Sequence, residues 1–298
     1  MMRHQELSGF VSFASPCRNR LAGVAAAFCA LVIGLCGGCS HSGPPENGPT
    51  TPATSPGGAS PNVDVKAIID KYASLDNSHD STIKLKAKVG AAGGPSEQVG
   101  LTINRQRQAD GTQRYLVEFT SPPDERDRDA LIRVSPSGGI EATRYGQATK
   151  NFITAKSPTD EESLFGLTLQ EMIGGEPENY DYKLVDEETY QDTPAYRVEG
   201  TLKPGSESRF PRTVMVISKQ NDDAMLIEAY DSHNDLARRL TVDKVGQVSG
   251  IWTRLKWTID NQEQRKKVDF EATDVKYNQN LPDSLFTKDH LKDLVSKH

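Results

Sequence analysis

Thr82-Ile83-Lys84-Leu85-Lys86-Ala87-Lys88-Val89 alternates polar and apolar residues without a break. Successive side chains of a β-strand point to opposite faces, so this stretch reads as a strand with one buried face and one charged, wet face. The parity returns in Val99, Leu101 and Ile103, then in Tyr115, Val117 and Phe119, with the turn-formers Gly93-Gly94-Pro95 and Asp110-Gly111 between them. Towards the C-terminus, Ile251, Leu255, Trp257 and Ile259 are opposed by Arg254, Lys256 and Thr258. Val268, Phe270 and Ala272 are likewise opposed by Lys267, Asp269 and Glu271. Links this short join antiparallel neighbours, because parallel ones need long crossovers. The expectation is a mainly β domain with a few helices, its sheet of about 11 strands curled to limit bare edges.

Three segments read as helices. Asn62 is placed to cap a helix with Val65, Ile68, Ile69, Tyr72 and Leu75 on one face. A second, Ser163 to Ile173, ends at Gly174-Gly175, and its apolar residues Leu164, Phe165, Leu167, Leu169, Met172 and Ile173 cover more than a narrow stripe. Lys288 to Ser296 forms the third. Ser163 to Ile173 reads equally as a cover over the sheet or as a plain core helix.

Outward from the domain, residues 40–61 are Gly, Pro, Ser, Thr and Ala apart from His41, Glu46 and Asn47, and cannot bury enough apolar surface to offset the entropy of ordering. As a coil of 22 residues they form a tether with a reach of roughly 25 Å. Before them, Arg18 and Arg20 precede the uncharged apolar run Leu21 to Leu35, which leads to Gly37-Gly38-Cys39. That run is shorter than the roughly 20 residues of a spanning helix, and reads as an export signal, with a short retained anchor as the alternative. The site is similar to a lipobox, whose cysteine is acylated, as with palmitate, and becomes the new N-terminus. Cys36 departs from the aliphatic residue usual in such sites. The division is therefore 1–39 signal ending at Cys39, 40–61 tether and 62–298 folded domain.

All four cysteines, Cys17, Cys29, Cys36 and Cys39, lie in the signal or at its edge. The exported domain must then be held by its core rather than by disulfides. Removing residues 1–39 takes away Arg3, Arg18, Arg20 and Glu6 and leaves 32 basic against 40 acidic side chains. That balance argues against nucleic acid as a partner. No nucleophile elbow, Walker loop, dinucleotide fingerprint or HExxH motif occurs after Cys39. His41, His79, His233, His290 and His298 are scattered, and the acidic runs Asp160-Glu161-Glu162 and Asp186-Glu187-Glu188 read as solvated. The sequence points to no enzyme, no cofactor and no metal.

Several short segments, in order, resemble the outer-membrane lipoprotein-sorting protein family of the LolA/LolB-like superfamily. They are Tyr115-Leu116-Val117-Glu118-Phe119-Thr120-Ser121-Pro122-Pro123-Asp124, Tyr180-Asp181-Tyr182-Lys183-Leu184, Lys203-Pro204-Gly205 and Gly250-Ile251-Trp252-Thr253. Asp274-Val275-Lys276-Tyr277-Asn278 and Leu281-Pro282-Asp283-Ser284-Leu285-Phe286-Thr287 complete the set. Pro122-Pro123 removes two donors and ends a strand, while Pro282 and Phe286 read as a turn and an apolar plug. The resemblance implies a curved antiparallel half-barrel covered by helices, with an apolar cavity for acyl chains of lipids or lipoproteins. Arg254 departs from it, standing where relatives commonly carry Pro, and Arg144 to Glu162 follows it loosely.

On that resemblance the cavity lining is expected from the inward parity set, Leu101, Val117, Phe119, Leu255, Trp257 and Phe270, with Leu164, Phe165, Leu169 and Met172 closing over it. The role implied is lipid or lipoprotein binding in sorting or transport to the outer membrane, from an anchor on its periplasmic side. A membrane-anchored sensor or scaffold that binds a protein partner, such as an inner-membrane lipid exporter, is the alternative. The anchor is open to direct test. Cys39→Ala should abolish incorporation of labelled palmitate and leave the protein unprocessed or unanchored; a variant labelled, processed and membrane-bound as wild type would remove the lipoprotein assignment.

Overall fold

The computed structural model describes residues 63–91, 94–136, 139–156, 177–206 and 208–297. The alternating stretch at 82–89 lies in β1 (Asp80–Ala91), which turns into β2 (Ser96–Arg107) and then β3 (Gln113–Ser121). Gly111, at φ +84°, makes the second turn, where Asp110 Oδ1 accepts the Thr112 N–H at 2.8 Å. Pro122 and Pro123 follow the end of β3, as their missing donors require. β4 (Ala130–Val134), β5 (Ile140–Gly146) and β6 (Asn151–Lys156) carry this meander to one edge of the sheet.

A second meander starts at the opposite edge with β7 (Tyr180–Tyr190), β8 (Thr193–Leu202), β9 (Arg212–Ser218) and β10 (Ala224–Tyr230). It ends with β11 (Leu236–Val248), β12 (Ile251–Asn261) and β13 (Lys266–Tyr277). β13 pairs antiparallel with β1, so the two meanders fuse into one sheet ordered β6-β5-β4-β3-β2-β1-β13-β12-β11-β10-β9-β8-β7.

Among the described residues the sheet thus has thirteen strands rather than about eleven, and it is open, with β6 and β7 as its edges, rather than the half-barrel expected. The count was hard to read for a physical reason. β6 is exposed or half-buried throughout, so it lacks a strong apolar face, and the β11–β12 ladder carries two register shifts, one with Asp243 extra on β11 and one with Leu255 extra on β12, that break the period of two.

α1 (Val65–Ala73) is capped by Asp64, whose Oδ1 accepts the Ala67 N–H at 3.2 Å. The cap is therefore Asp64 and not Asn62, which lies outside the described residues; an aspartate three residues before the amide it accepts fits the N-cap geometry. Ile68 and Ile69 bury against Val198, Met215, Ile217 and Ala224, with Tyr72 beside them. Arg254 of β12 grips Asp223 in the β9–β10 turn at 2.6–3.1 Å, and Lys71 of α1 approaches Asp222 at 3.8 Å. Among the described residues no helix is long and apolar enough to cross a membrane.

α2 (Lys288–Ser296), capped by Thr287, lies on the opposite face of the sheet. Leu291 and Val295 pack with Leu116, Tyr145 and Phe286, which is the apolar plug read from the sequence. Beside this cluster Glu118 of β3 accepts from Asn104 Nδ2 at 2.9 Å, and Asn104 accepts from Thr82. Burial raises the Glu118 pKa, against the opposing pull of His290 and of the Asn104 hydrogen bond. A carboxyl whose folded pKa is raised binds more protons folded than unfolded, so its ionisation lowers stability as pH rises. Glu118→Gln keeps an acceptor for Asn104 and removes that penalty. The variant should unfold at higher denaturant than wild type at neutral and alkaline pH, with the gap closing as pH falls through the raised titration.

Candidate functional site

Register pairing decides which side chains share a face. Leu184, Val198, Met215, Ile227, Leu240, Ile259, Val268 and Val89 are successive cross-strand partners from β7 through β13 to β1. Neighbouring rows continue it: Trp257, Phe270, Ala87 and Val99, then Leu85, Leu101 and Phe119, then Ile83, Ile103 and Val117. One face, here the inner face, therefore carries apolar rows from β7 across to β3. α1 covers its β7–β10 end.

Of the residues singled out from the sequence, Leu101, Val117, Phe119 and Phe270 belong to one buried cluster on this face. Trp257, half-buried, stacks on Phe270 with ring centroids 5.1 Å apart and planes 16° apart. Arg128 sits 5.2 Å from the Phe119 ring centroid. Leu255 is half-buried and stands apart from that cluster, its side chain crossing Gly246 of β11 at 2.8 Å from where a Cβ would stand. Cys39, Leu164, Phe165, Leu169 and Met172 lie outside the described residues.

Parity read as an apolar signal missed one end of the same face. Tyr277, Ser81, Arg105 and Tyr115 are successive register partners on β13, β1, β2 and β3. All are buried, Arg105 to 7% exposure. Its Nη2 donates to Asp76 Oδ1 at 2.9 Å, to Ser78 Oγ at 2.5 Å and to the Ser78 carbonyl at 3.2 Å. Tyr277 and Thr253 share a hydrogen bond of 2.9 Å between hydroxyls. Burial pushes the Tyr115 phenol up to about 12 and raises Tyr277 as well, so both stay neutral donors at any physiological pH. The signal was present in the sequence: continuing Val99, Leu101 and Ile103 by one step of two reaches Arg105.

The outer face offers a different feature, a shallow cleft of about 250 Å³ over β1, β12 and β13. Lys86, Lys88 and Lys256 line it together with Asp243, Asp269 and Glu271. Register sets Lys86 opposite Glu271 and Lys88 opposite Asp269, and Lys256 pairs with Glu271 at 3.2 Å. Three cations facing three anions in open solvent make a solvated charge ladder with no preference for either sign.

A single open antiparallel sheet with a continuous apolar face and helices on both faces defines a LolA-like fold. Residues 111–293 match the model of a family described as "-like: Uncharacterized protein", and the chain belongs to that family. No curated protein matches the chain. Among solved structures, a DUF1329 family protein from Desulfovibrio piger is similar at 21% identity and TM-score 0.69, covering 76% of this chain and 98% of that one. An outer membrane lipoprotein-sorting protein domain from Vibrio parahaemolyticus is similar at 18% identity and TM-score 0.68, over 76% of this chain and 97% of that one. A LolA superfamily protein from Nitrosomonas europaea is similar at 15% identity and TM-score 0.60, over 77% and 100%. At these identities the likeness is one of fold.

The stack at the centre of the inner face gives a stability test. Phe270→Ala should cost about 3 to 5 kcal/mol, and Trp257→Ala less because it is half-buried. The double variant should cost less than the two added together, since each loses part of the other's contact. Urea denaturation of the four proteins checks this, and strict additivity would mean that the rings are energetically independent.

Proposed function

We propose that this chain is a non-catalytic periplasmic protein that binds the acyl chains of lipids or lipoproteins, in lipoprotein sorting or lipid transport to the outer membrane. The observation that carries the reading is the apolar register row from Leu184 to Val89 across eight strands. Each methylene kept from water is worth about 0.8 kcal/mol. A 16-carbon chain therefore faces roughly 13 kcal/mol against crossing an aqueous compartment bare, which is why a carrier needs such a face.

In this reading Cys39 carries the lipid anchor, residues 40–61 are the tether, Ser40 permits passage to the outer membrane, and Leu164, Phe165, Leu169 and Met172 close over the chain.

A specific observation favours the second reading, a sensor or scaffold that binds a protein such as a lipid exporter. The large apolar side chains exposed among the described residues, Phe152 and Val185, stand on β6 and β7, the two edges of the sheet. An edge strand with an apolar side chain is a template for an added strand.

The test uses protein carrying Cys39→Ser, so that acyl groups of its own anchor do not count. Native mass spectrometry of protein purified from the periplasm should show a bound lipid that organic extraction removes, and the emptied protein should take up a fluorescent fatty acid. Protein that is lipid-free and takes up none would transfer the assignment to the scaffold reading.

A further inference from the structure

The polar row Tyr277, Ser81, Arg105 and Tyr115 lies two residues along each strand from the apolar row containing Ile83, Ile103 and Val117. That separation is about 7 Å. Within the polar row one group is incomplete. The Arg105 guanidinium uses Nη2 for all three contacts to Asp76 and Ser78, while its Nε–H is buried with no acceptor among the described residues. Buried donors in folded proteins are nearly always paired, and an unpaired donor on a charged group is among the most costly to leave so.

The electrostatics say what kind of acceptor is missing. Asp76 already faces Arg105 at 2.9 Å and answers its charge. A second anion would have to compete with that carboxylate, whereas a neutral oxygen would not. The adjoining row is hydrocarbon-binding, so the acceptor should be a neutral oxygen at the end of an alkyl chain. We infer that Arg105 Nε anchors the ester or amide carbonyl of an acyl chain laid along the inner face, which makes acyl lipids, rather than alkyl chains in general, the ligand class. This rests on the lipid-binding reading above.

Two lysophospholipids isolate the carbonyl: 1-palmitoyl-lysophosphatidylcholine and 1-O-hexadecyl-lysophosphatidylcholine share chain length and headgroup and differ at the ester. The mature protein should bind the ester form about tenfold more tightly than the ether, the worth of one hydrogen bond to a charged donor. Arg105→Lys keeps a cation for Asp76 but removes Nε–H, so the ester should fall to the affinity of the ether while the ether is unchanged. Should that variant fail to fold, the carbonyl band of 13C-labelled ester on the wild-type protein serves instead; it should move to lower wavenumber than in hydrocarbon solvent.

Equal binding of ester and ether, with the carbonyl band unshifted, would overturn the inference and leave water as the Nε acceptor, with the lipid reading intact. Binding of neither lipid would overturn both. A preference that follows headgroup charge when choline is replaced by glycerol, and not the ester, would make Arg105 an anion anchor and also overturn it.

Discussion

The pairing of β1 with β13 is the constraint on which the rest of the sheet depends. Every other ladder joins strands adjacent in sequence, whereas this one joins Asp80–Ala91 to Lys266–Tyr277 and closes the two meanders into one surface. Asp80, buried at its end, accepts the N–H groups of Gln279 at 2.7 Å and Leu281 at 3.2 Å, and its carbonyl accepts from Asn278 at 3.0 Å. The His79 N–H donates to Asn278 Oδ1 at 2.9 Å. Both the apolar row through Val268 and Val89 and the polar row through Tyr277 and Ser81 cross this seam. Pairing at such separation costs loop closure before any contact compensates, so it is also the step that sets how slowly such a sheet assembles.

Legibility followed burial contrast. β1, β2 and β3 each have one buried and one wet face with readable alternation, as do β12 from Lys256 to Ile259 and β13 from Lys267 to Ala272. Where contrast is lost, as on exposed β6, or where an extra residue changes parity, as Asp243 does in β11 and Thr273 in β13 opposite Lys84 and Leu85, a period of two no longer identifies the face. That is why the count was short by two strands. Leu255 shows the same limit: it was placed by parity with Trp257, but it is itself the extra residue on β12, between Lys256 opposite Lys244 and Arg254 opposite Val245, and its side chain lies over Gly246. The long-range seam left no local trace, since no periodicity says which strands meet.

Arg254 illustrates how a residue that breaks a family pattern can be explained locally. A proline at this position would offer no side-chain donor, whereas Arg254 clamps Asp223, itself 5% exposed, in the turn against which the end of α1 rests. The helix that begins the described domain is thereby held from both directions, by Ile68 and Ile69 on the apolar face and by charge at the β9–β10 turn. The outer face uses charge differently. Around β1, β12 and β13 the opposite signs alternate in exposed pairs such as Lys84–Asp274 and Lys267–Asp269, which keep that face in water without committing it to a ligand.

Under the lipid-binding reading proposed above, the two rows of the inner face would divide the work of recognition. An apolar surface discriminates poorly between chains, because one methylene more or less changes the free energy by only about 0.8 kcal/mol. A buried polar group discriminates far better, because a ligand that lacks the matching atom leaves it unpaired. On that reading selectivity would come from the end where Arg105, Tyr115, Tyr277 and Ser81 stand, and capacity from the rows beyond Ile103. Release would follow from the same division: the hydrocarbon contribution is large but indifferent to whichever surface receives the chain, while the polar contact is small and set by geometry. A shift of the segment carrying Asp76 and Ser78, which holds the guanidinium in place, would alter grip without altering the apolar surface.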